Sequence, residues 1–217
     1  PLPAAAFALA LVSMTAISAA CFWSLYKGAP TIEVLTAGVL PPLSINLRFG
    51  LAEGFFSVCV NVAALLGAWH MWDRLRISYP ALLLYLILIM GINGMVMTRD
   101  LFNLFVFLEI VSIGTYGLLG LQRTPQALAA SFKYIMATVI ASSFFLLGAA
   151  LLYHVTGTLN IDDMIANRAL ISGPIGATAL LFVLACLVVE LKPFPANGWG
   201  LDVYETADSG VAALVSG

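Results

Sequence analysis

The sequence predicts an all-α fold, a polytopic membrane helix bundle, and the first reason is its composition. Hydrophobic residues make up 62% of the 217 residues and charged residues only 9%, whereas a soluble domain carries about 25% charged residues. The mean hydropathy is +1.03. Such a chain cannot cover itself with a polar surface, so we expect a multi-pass integral protein of a lipid bilayer. Its net charge of −2 argues against a nucleic-acid partner.

The second reason is that apolar stretches of membrane-spanning length recur along the chain, since a spanning helix needs about 20 mostly apolar residues. Six stretches have this length: residues 3–25, 51–72, 79–98, 101–121, 126–153 and 173–193. Another begins near residue 207. We therefore predict a single transmembrane domain over residues 1–217. Both ends lie in apolar sequence without a closing charge, so we expect a fragment of a longer polypeptide.

The connections between these spans carry their own signals. Residues 26–50 contain glycines, prolines and the alternating stretch LSINLRF, which predict an extended or hairpin segment in a periplasmic-type connection. Residues 154–172 contain TGTLNIDDM, in which Asn160 is placed to cap a short interfacial helix. The link at residues 98–100 is so short that its flanking helices must be antiparallel neighbours.

The end of the sixth span is interrupted. Residues 190–210, ELKPFPANGWGLDVYETADSG, contain two prolines and five charged residues. Non-helical backbone at membrane depth is tolerated only against protein or a water-filled cavity, and broken helices with nearby charge recur at transporter ion sites. We predict a broken helix near residues 193–200. The alternative is a helix that ends at Leu191 and continues as a surface loop.

One carboxylic acid lies in the middle of the fourth span. Glu109 is too deep to reach either membrane face easily, and a charge at such depth costs roughly +2.5 to +3.5 kcal/mol. Ser112 and Tyr116 follow it at helical spacing and form a polar stripe with it. An intramembrane ionisable residue is by default a functional candidate. The alternative is a static charge that only fixes helix packing.

The next span supplies a cationic partner for this acid. Counted from the turn between the two helices, Glu109 lies about 18 Å deep and Lys133 about 12 Å deep, at 1.5 Å per residue. A lysine side chain can cover this difference, so we predict an ion pair between Glu109 and Lys133, direct or through water. A buried row of alternating acid and base can pass a proton, because each charge alters the proton affinity of the next.

Further ionisable side chains lie near the predicted break and at one helix end. Lys192, with Glu190 beside it, lies where the sixth span meets the break, and a desolvated lysine readily changes its proton affinity. The alternative for Lys192 is an anchor that snorkels to the interface. His154 ends the fifth span and is a candidate proton relay or an ordinary interfacial histidine. The sequence contains no metal-ligand cluster, phosphate loop, nucleotide fingerprint or nucleophile triad, so we predict no cofactor and no metal.

These residues together predict an ion-translocating module that moves H+, alone or in exchange for Na+. One alternative is a structural or quinone-adjacent membrane anchor in which the charges are inert. A second is a membrane enzyme that uses Glu109 as an acid or base. No other catalytic group lies near Glu109 in the sequence, so we expect no catalysis by the chain on its own.

Two stretches carry a family resemblance: RDLFNLFVFLEIVSIGTYGLLGL and ASFKYIMATVIASSFFLLGAALLYHVTGTLNIDDM. They resemble the antiporter-like subunits of Mrp cation/proton antiporters, most of all the D-type subunit. The same family includes the N- and M-type membrane subunits of respiratory complex I and subunits of membrane-bound hydrogenases. The resemblance implies a proton-conducting subunit with an inverted-repeat fold, among other membrane subunits of a multi-subunit complex. It also implies a bacterial or archaeal cytoplasmic membrane, with the turns of Arg74, Arg76 and Arg123 on the cytoplasmic side.

The resemblance further implies roles for individual residues. Glu109 matches the key glutamate of the family, Lys133 matches the lysine of the following helix, and Lys192 approximates the lysine of the broken helix. Family members usually carry a lysine where this chain has Glu190, nine residues before the tryptophan of a Trp-Leu-Pro-Asp-like motif. The proline of that motif is absent from WGLD at residues 199–202. The departures therefore cluster around the predicted break.

Overall fold

The computed structural model describes residues 2–36, 38–39, 44–121, 124–192, 197–207 and 212. Six helices within these residues are long: α1 (Leu2–Tyr26), α2 (Leu51–His70), α4 (Tyr79–Met97), α5 (Leu101–Gly120), α6 (Pro125–Thr156) and α9 (Pro174–Leu191). The shorter elements are β1 (Ile32–Leu35), β2 (Asn46–Phe49), α3 (Trp72–Leu75), α7 (Ile161–Ala166), α8 (Arg168–Ile171) and α10 (Gly198–Thr206).

The six long helices are each long and apolar enough to cross a membrane, which confirms the predicted all-α membrane bundle. Local signals set their ends. Ser78, Asp100 and Thr124 accept hydrogen bonds from backbone N–H groups in the first turns of α4, α5 and α6, which satisfies donors that the helix leaves open. Gly157 follows α6 with a φ of +71°, a conformation that glycine adopts without steric cost.

Neighbouring helices approach closely where a glycine leaves room. A methyl group on Gly114 of α5 would lie 2.9 Å from the Leu88 Cβ of α4, and one on Gly91 of α4 would lie 2.8 Å from a Val111 methyl of α5. A methyl group on Gly148 of α6 would lie 2.8 Å from the backbone oxygen of Ala179 in α9. Small residues at such positions let membrane helices pack backbone to backbone, so α4 pairs tightly with α5 and α6 with α9.

The connections at one membrane face form a single layer. The predicted hairpin segment is an antiparallel ribbon of β1 and β2. The Arg99 N–H donates to the Asn46 carbonyl at 3.0 Å, and the Ile161 N–H donates to the Arg99 carbonyl at 2.9 Å. Asn160 caps α7, as predicted, by accepting from the Asp163 N–H at 3.1 Å. Three segments that are distant in sequence are therefore held together by backbone hydrogen bonds.

Two arginines and one aspartate reinforce this layer. Arg99 Nε donates to Asp162 Oδ2 at 3.1 Å, and Arg48 Nη1 lies 3.6 Å from the same carboxylate. Arg48 also pairs with Glu53 at 3.0 Å. The hydrogen bond and the charge of Arg99 hold the pKa of Asp162 below its ordinary value.

A buried network of four polar side chains lies between α1, α2 and α4. Asn61 and Asn93 exchange amide hydrogen bonds at 3.0 and 3.2 Å. The Ser57 hydroxyl donates to Asn93 Oδ1 at 2.7 Å, and Asn61 Nδ2 donates to Ser18 Oγ at 3.2 Å. This network, which the sequence reasoning did not predict, holds the first three spans together.

Candidate functional site

Glu109 lies on the third turn of α5, partly buried among its neighbours. The start of this helix is fixed, since Asp100 accepts from the Asn103 N–H at 2.8 Å and the Asn103 amide donates to Thr98 Oγ1 at 3.0 Å. Glu109 is close enough to Cys186 and Glu190 of α9 to interact with both electrostatically. The structure therefore brings together two carboxyl groups, one predicted as a primary and one as a secondary candidate.

The polar stripe on α5 faces α6. Ser112 and Thr115 are buried, and the phenol group of Tyr134 in α6 interacts with both hydroxyls. Ser131 of α6 also donates to the backbone oxygen of Tyr116 at 3.1 Å. The side of α5 that carries Ser112 and Thr115 therefore packs against protein.

Tyr134 connects three helices at this point. Its ring is only 3% exposed, and the group also interacts electrostatically with Glu190 of α9. The sequence alone assigned no role to this residue. Its distinguishing signal is helical spacing, because Tyr134 follows Ser131 by three residues and therefore lies on the same face.

The end of α9 is distorted at Lys192. This residue has a φ of +52°, and it is the only non-glycine residue with a positive φ among those that the structure describes. Its ammonium group interacts electrostatically with Glu190. Its alkyl chain passes over Gly200 of α10, where a methyl group would lie 3.1 Å from Lys192 Cδ. Lys192 therefore follows the last residue of α9 and also packs against α10, the helix on the other side of the interruption.

The sixth span is interrupted where the sequence predicts it, and a helix lies on each side of the interruption. The helix α9 ends at Leu191, and α10 begins at Gly198, so helical structure resumes soon after the interruption. Residues 193–196, between them, lie outside the described residues. The same holds for Arg123, and for most of the further span predicted from residue 207.

Lys133 has a different partner from the predicted one. Its ammonium group forms an ion pair with Asp202 of α10, and no ion pair joins it to Glu109 in the described part of the chain. The cause is helix rotation, since consecutive residues of an α-helix point about 100° apart. Tyr134 takes the direction towards α5, and Lys133 points towards α10. Depth alone did not predict this direct partner of Lys133, because depth does not fix the angle.

The remaining candidate lies far from this cluster. His154 is exposed in the last turn of α6, 21 residues beyond Lys133 and therefore about 31 Å away along the axis. The structure thus groups Glu109, Ser112, Glu190 and Lys192 with Tyr134 and leaves His154 outside. Among the described residues, no group of three or more His, Cys, Asp or Glu side chains has the arrangement of a metal site.

Comparison with known proteins gives three related similarities. A sequence profile of the family described as NADH:quinone oxidoreductase/Mrp antiporter, TM, matches residues 98–217. The N-type subunit of the NADH-quinone oxidoreductase of Desulforudis audaxviator is 32% identical, over 97% of this chain and 42% of that protein. The D-type subunit of the Na(+)/H(+) antiporter of Alkalihalophilus pseudofirmus is 36% identical, over 73% of this chain and 32% of that protein.

A solved structure extends the similarity to the fold. A chain of the membrane-bound sulfane sulfur reductase, an archaeal respiratory membrane complex, superimposes with a TM-score of 0.87 at 33% identity. The match covers 95% of this chain and 43% of that chain. The present chain therefore spans less than half the length of these relatives. The profile match contains Glu109, Lys133 and Lys192, whereas the Asn61–Asn93 network lies before it.

Proposed function

The chain belongs to the NADH:quinone oxidoreductase/Mrp antiporter transmembrane family, and from that membership we propose that it forms part of a proton-translocating, antiporter-like subunit of a multi-subunit membrane complex. The resemblance noted in the sequence is thereby confirmed. The proposed translocation residues are Glu109, Glu190 and Lys192, with Lys133 as a neighbouring charge. Redox energy or an ion gradient would come from other subunits of the complex.

The observation that carries this proposal is that Glu109 and Glu190 lie within electrostatic reach of each other, beside the interruption of the sixth span. Two carboxyl groups within electrostatic reach of each other are a pair between which a proton can be passed, directly or through water. Lys192 lies next in line, on distorted backbone beside the break. Tyr134, which interacts electrostatically with Glu190, offers a hydroxyl that can both donate and accept a proton.

Lys133 has a distinct place in this scheme. Its ion pair with Asp202 joins α6 to α10, across the break from Lys192. Any rearrangement of α10 therefore alters the charge next to α6, and movement of Lys133 alters the position of α10. We propose that this pair responds to the proton occupancy of the cluster, in place of the direct Glu109–Lys133 gate expected from the sequence.

Exchange of H+ for Na+ is a second candidate function. It is favoured by the similarity to a protein named as a component of a Na(+)/H(+) antiporter. Its test is transport by the full-length protein in sealed vesicles, with an imposed pH gradient and Na+ added outside. If the pH gradient collapses faster with Na+ than without it, exchange is supported. If the rate of collapse is the same with and without Na+, the protein translocates protons without exchange for Na+.

The proposal is tested by a Glu109→Gln variant of the full-length protein, assembled in its complex and reconstituted in vesicles. Glutamine keeps the shape of the side chain and removes its proton. We expect proton translocation to fall about 100-fold or more, the contribution typical of one positioned proton-transfer group. The matched control is Glu205→Gln on the exposed side of α10, which should leave transport unchanged. Unaltered translocation in Glu109→Gln would instead favour the structural or quinone-adjacent anchor.

A further inference from the structure

An apolar groove runs along the outside of the bundle between α1 and α2. Its volume is about 610 Å³. Phe7, Leu11 and Ala68 form its floor and are almost fully buried, whereas Leu66 and Trp69 form exposed walls. The groove is thus a fixed concave surface that opens towards the surroundings of the bundle.

The floor of this groove is rigid. The Phe7 ring lies edge-on to Tyr85 of α4, with centroids 5.6 Å apart, and 6.5 Å from the Trp72 ring. The Tyr85 hydroxyl in turn donates to the Ala64 carbonyl at 2.6 Å. Side chains from α1, α2, α3 and α4 therefore fix the shape of the groove without a ligand.

A second groove continues the first towards the membrane surface. The two share Ala8 and Trp72, and the second extends to Ile77 and Arg76. The Arg76 side chain is 54% exposed and pairs with Asp73 at 3.0 Å. A surface pair of this kind contributes little, and a guanidinium group has five N–H donors. Arg76 can therefore bind an anion at the end of the groove while it keeps this contact.

The depth of the combined groove matches one leaflet of a bilayer. It begins beside Ala4, at the start of α1, and ends beside Val12, eight residues or about 12 Å along the axis. The hydrocarbon core of a membrane is about 30 Å thick, so the groove ends before the midplane. Trp69 and Trp72 line the groove, and tryptophans are enriched at the boundary between hydrocarbon and headgroups.

We propose that this groove is a binding site for one anionic glycerophospholipid, with an acyl chain along α1 and α2 and its phosphate at Arg76. An apolar channel one leaflet deep with a cation at its outer end has the chemistry of such a lipid. Two guanidinium groups, of Arg74 and Arg76, lie in this turn against the single carboxylate of Asp73. The turn therefore favours a headgroup with net negative charge over a zwitterionic one.

The test is lipid retention by the full-length protein in its complex, measured by native mass spectrometry after exchange into mixed phosphatidylglycerol and phosphatidylcholine. We expect one phosphatidylglycerol to be retained in preference to phosphatidylcholine. Arg76→Gln should lower this retention about fivefold, the factor that one basic side chain near an anionic surface is worth. Ala8→Trp, which fills the junction of the two grooves, should abolish it.

Matched variants separate this site from general lipid adhesion. Arg74→Gln removes a charge from the same turn without lining the groove, and Ala6→Trp adds the same bulk to an exposed position of α1 outside it. Ala6→Trp should retain the lipid, and Arg74→Gln, which lowers the charge of the turn without removing a lining side chain, should lose less of it than Arg76→Gln. Equal retention of the two lipids, or equal loss in Arg74→Gln and Arg76→Gln, would overturn the proposal. So would a photoreactive residue at position 8 that cross-links to another protein subunit instead of to lipid.

Discussion

Two groups of polar side chains inside the described part of the bundle differ in chemistry. The network between α1, α2 and α4 consists of amides and hydroxyls that satisfy one another, Asn61 and Asn93 above all. The cluster between α5, α6 and α9 is ionisable, and Glu190 is in electrostatic contact with both Glu109 and Lys192. Neutral groups with complete hydrogen bonding can hold helices together in a membrane. Ionisable groups at the same depth are costly and are retained for function.

The first variant removes the charge of the second carboxyl group, Glu190, and tests whether the ionisable cluster is functional rather than structural. Glu190→Gln preserves the shape of the side chain and removes the proton-binding group that interacts electrostatically with Glu109 and Tyr134. We expect about 100-fold slower proton translocation in vesicles containing the full-length protein, with an unchanged unfolding temperature. If the cluster were only structural, the unfolding temperature would change and the translocation rate would not. Glu205→Gln again serves as the control.

The second variant tests whether the neutral Asn61–Asn93 network contributes to stability rather than to transport. Asn93→Ala leaves the Ser57 hydroxyl and the Asn61 carbonyl oxygen without their partner inside the bundle. An unsatisfied buried polar group costs about 1–3 kcal/mol, so we expect a loss of that order in the free energy of unfolding, measured in detergent. Ser143→Ala, which removes an exposed hydroxyl bonded only to its own helix, should have almost no effect. Translocation by folded Asn93→Ala protein should stay near the wild-type rate; a loss as large as that in Glu190→Gln would erase the distinction between the two groups.

The outline of the fold could be predicted from the sequence because hydropathy is a local property. Each of the six spans is marked by its own run of apolar residues, and the break before α10 is marked by its prolines and charges. Asn160 could be predicted as a cap because the capping residue and its helix are adjacent in sequence. None of these features depends on which helix packs against which.

Side-chain partners could not be predicted in the same way, because they depend on the rotation of each helix about its axis. Glu109 and Lys133 lie at compatible depths, yet Lys133 contacts Asp202, 69 residues later in the chain. The Asn61–Asn93 network was missed because a single asparagine in an apolar span has no periodic signal. Glu190 was only a secondary candidate, because its proximity to Glu109 depends on how α5 and α9 pack and not on its place in the sequence.

The smallest effect is expected outside the membrane, where charges stabilise the layer of connections. Asp162 accepts from Arg99, and this lowers its pKa in the folded protein. A carboxyl group with a lowered folded pKa stabilises the fold above its unfolded pKa of about 3.9, and this contribution disappears as pH falls through the folded pKa. Because the Asp162 side chain is 42% exposed, solvent screening limits the contribution to about 0.2–1 kcal/mol.

Asp162→Asn should therefore lower the free energy of unfolding by this small amount at pH 7 and by progressively less below pH 4, about the unfolded pKa. The measurement is the difference between wild-type and variant stability in detergent from neutral to acidic pH. Asp73→Asn, which breaks a more exposed ion pair with Arg76, is the control and should change the free energy of unfolding less than Asp162→Asn does at pH 7. A deficit in Asp162→Asn that persists undiminished in acid would show that its hydrogen-bond geometry, rather than its charge, joins Arg99 to α7. The layer would then resemble the neutral Asn61–Asn93 network more than the ionisable cluster.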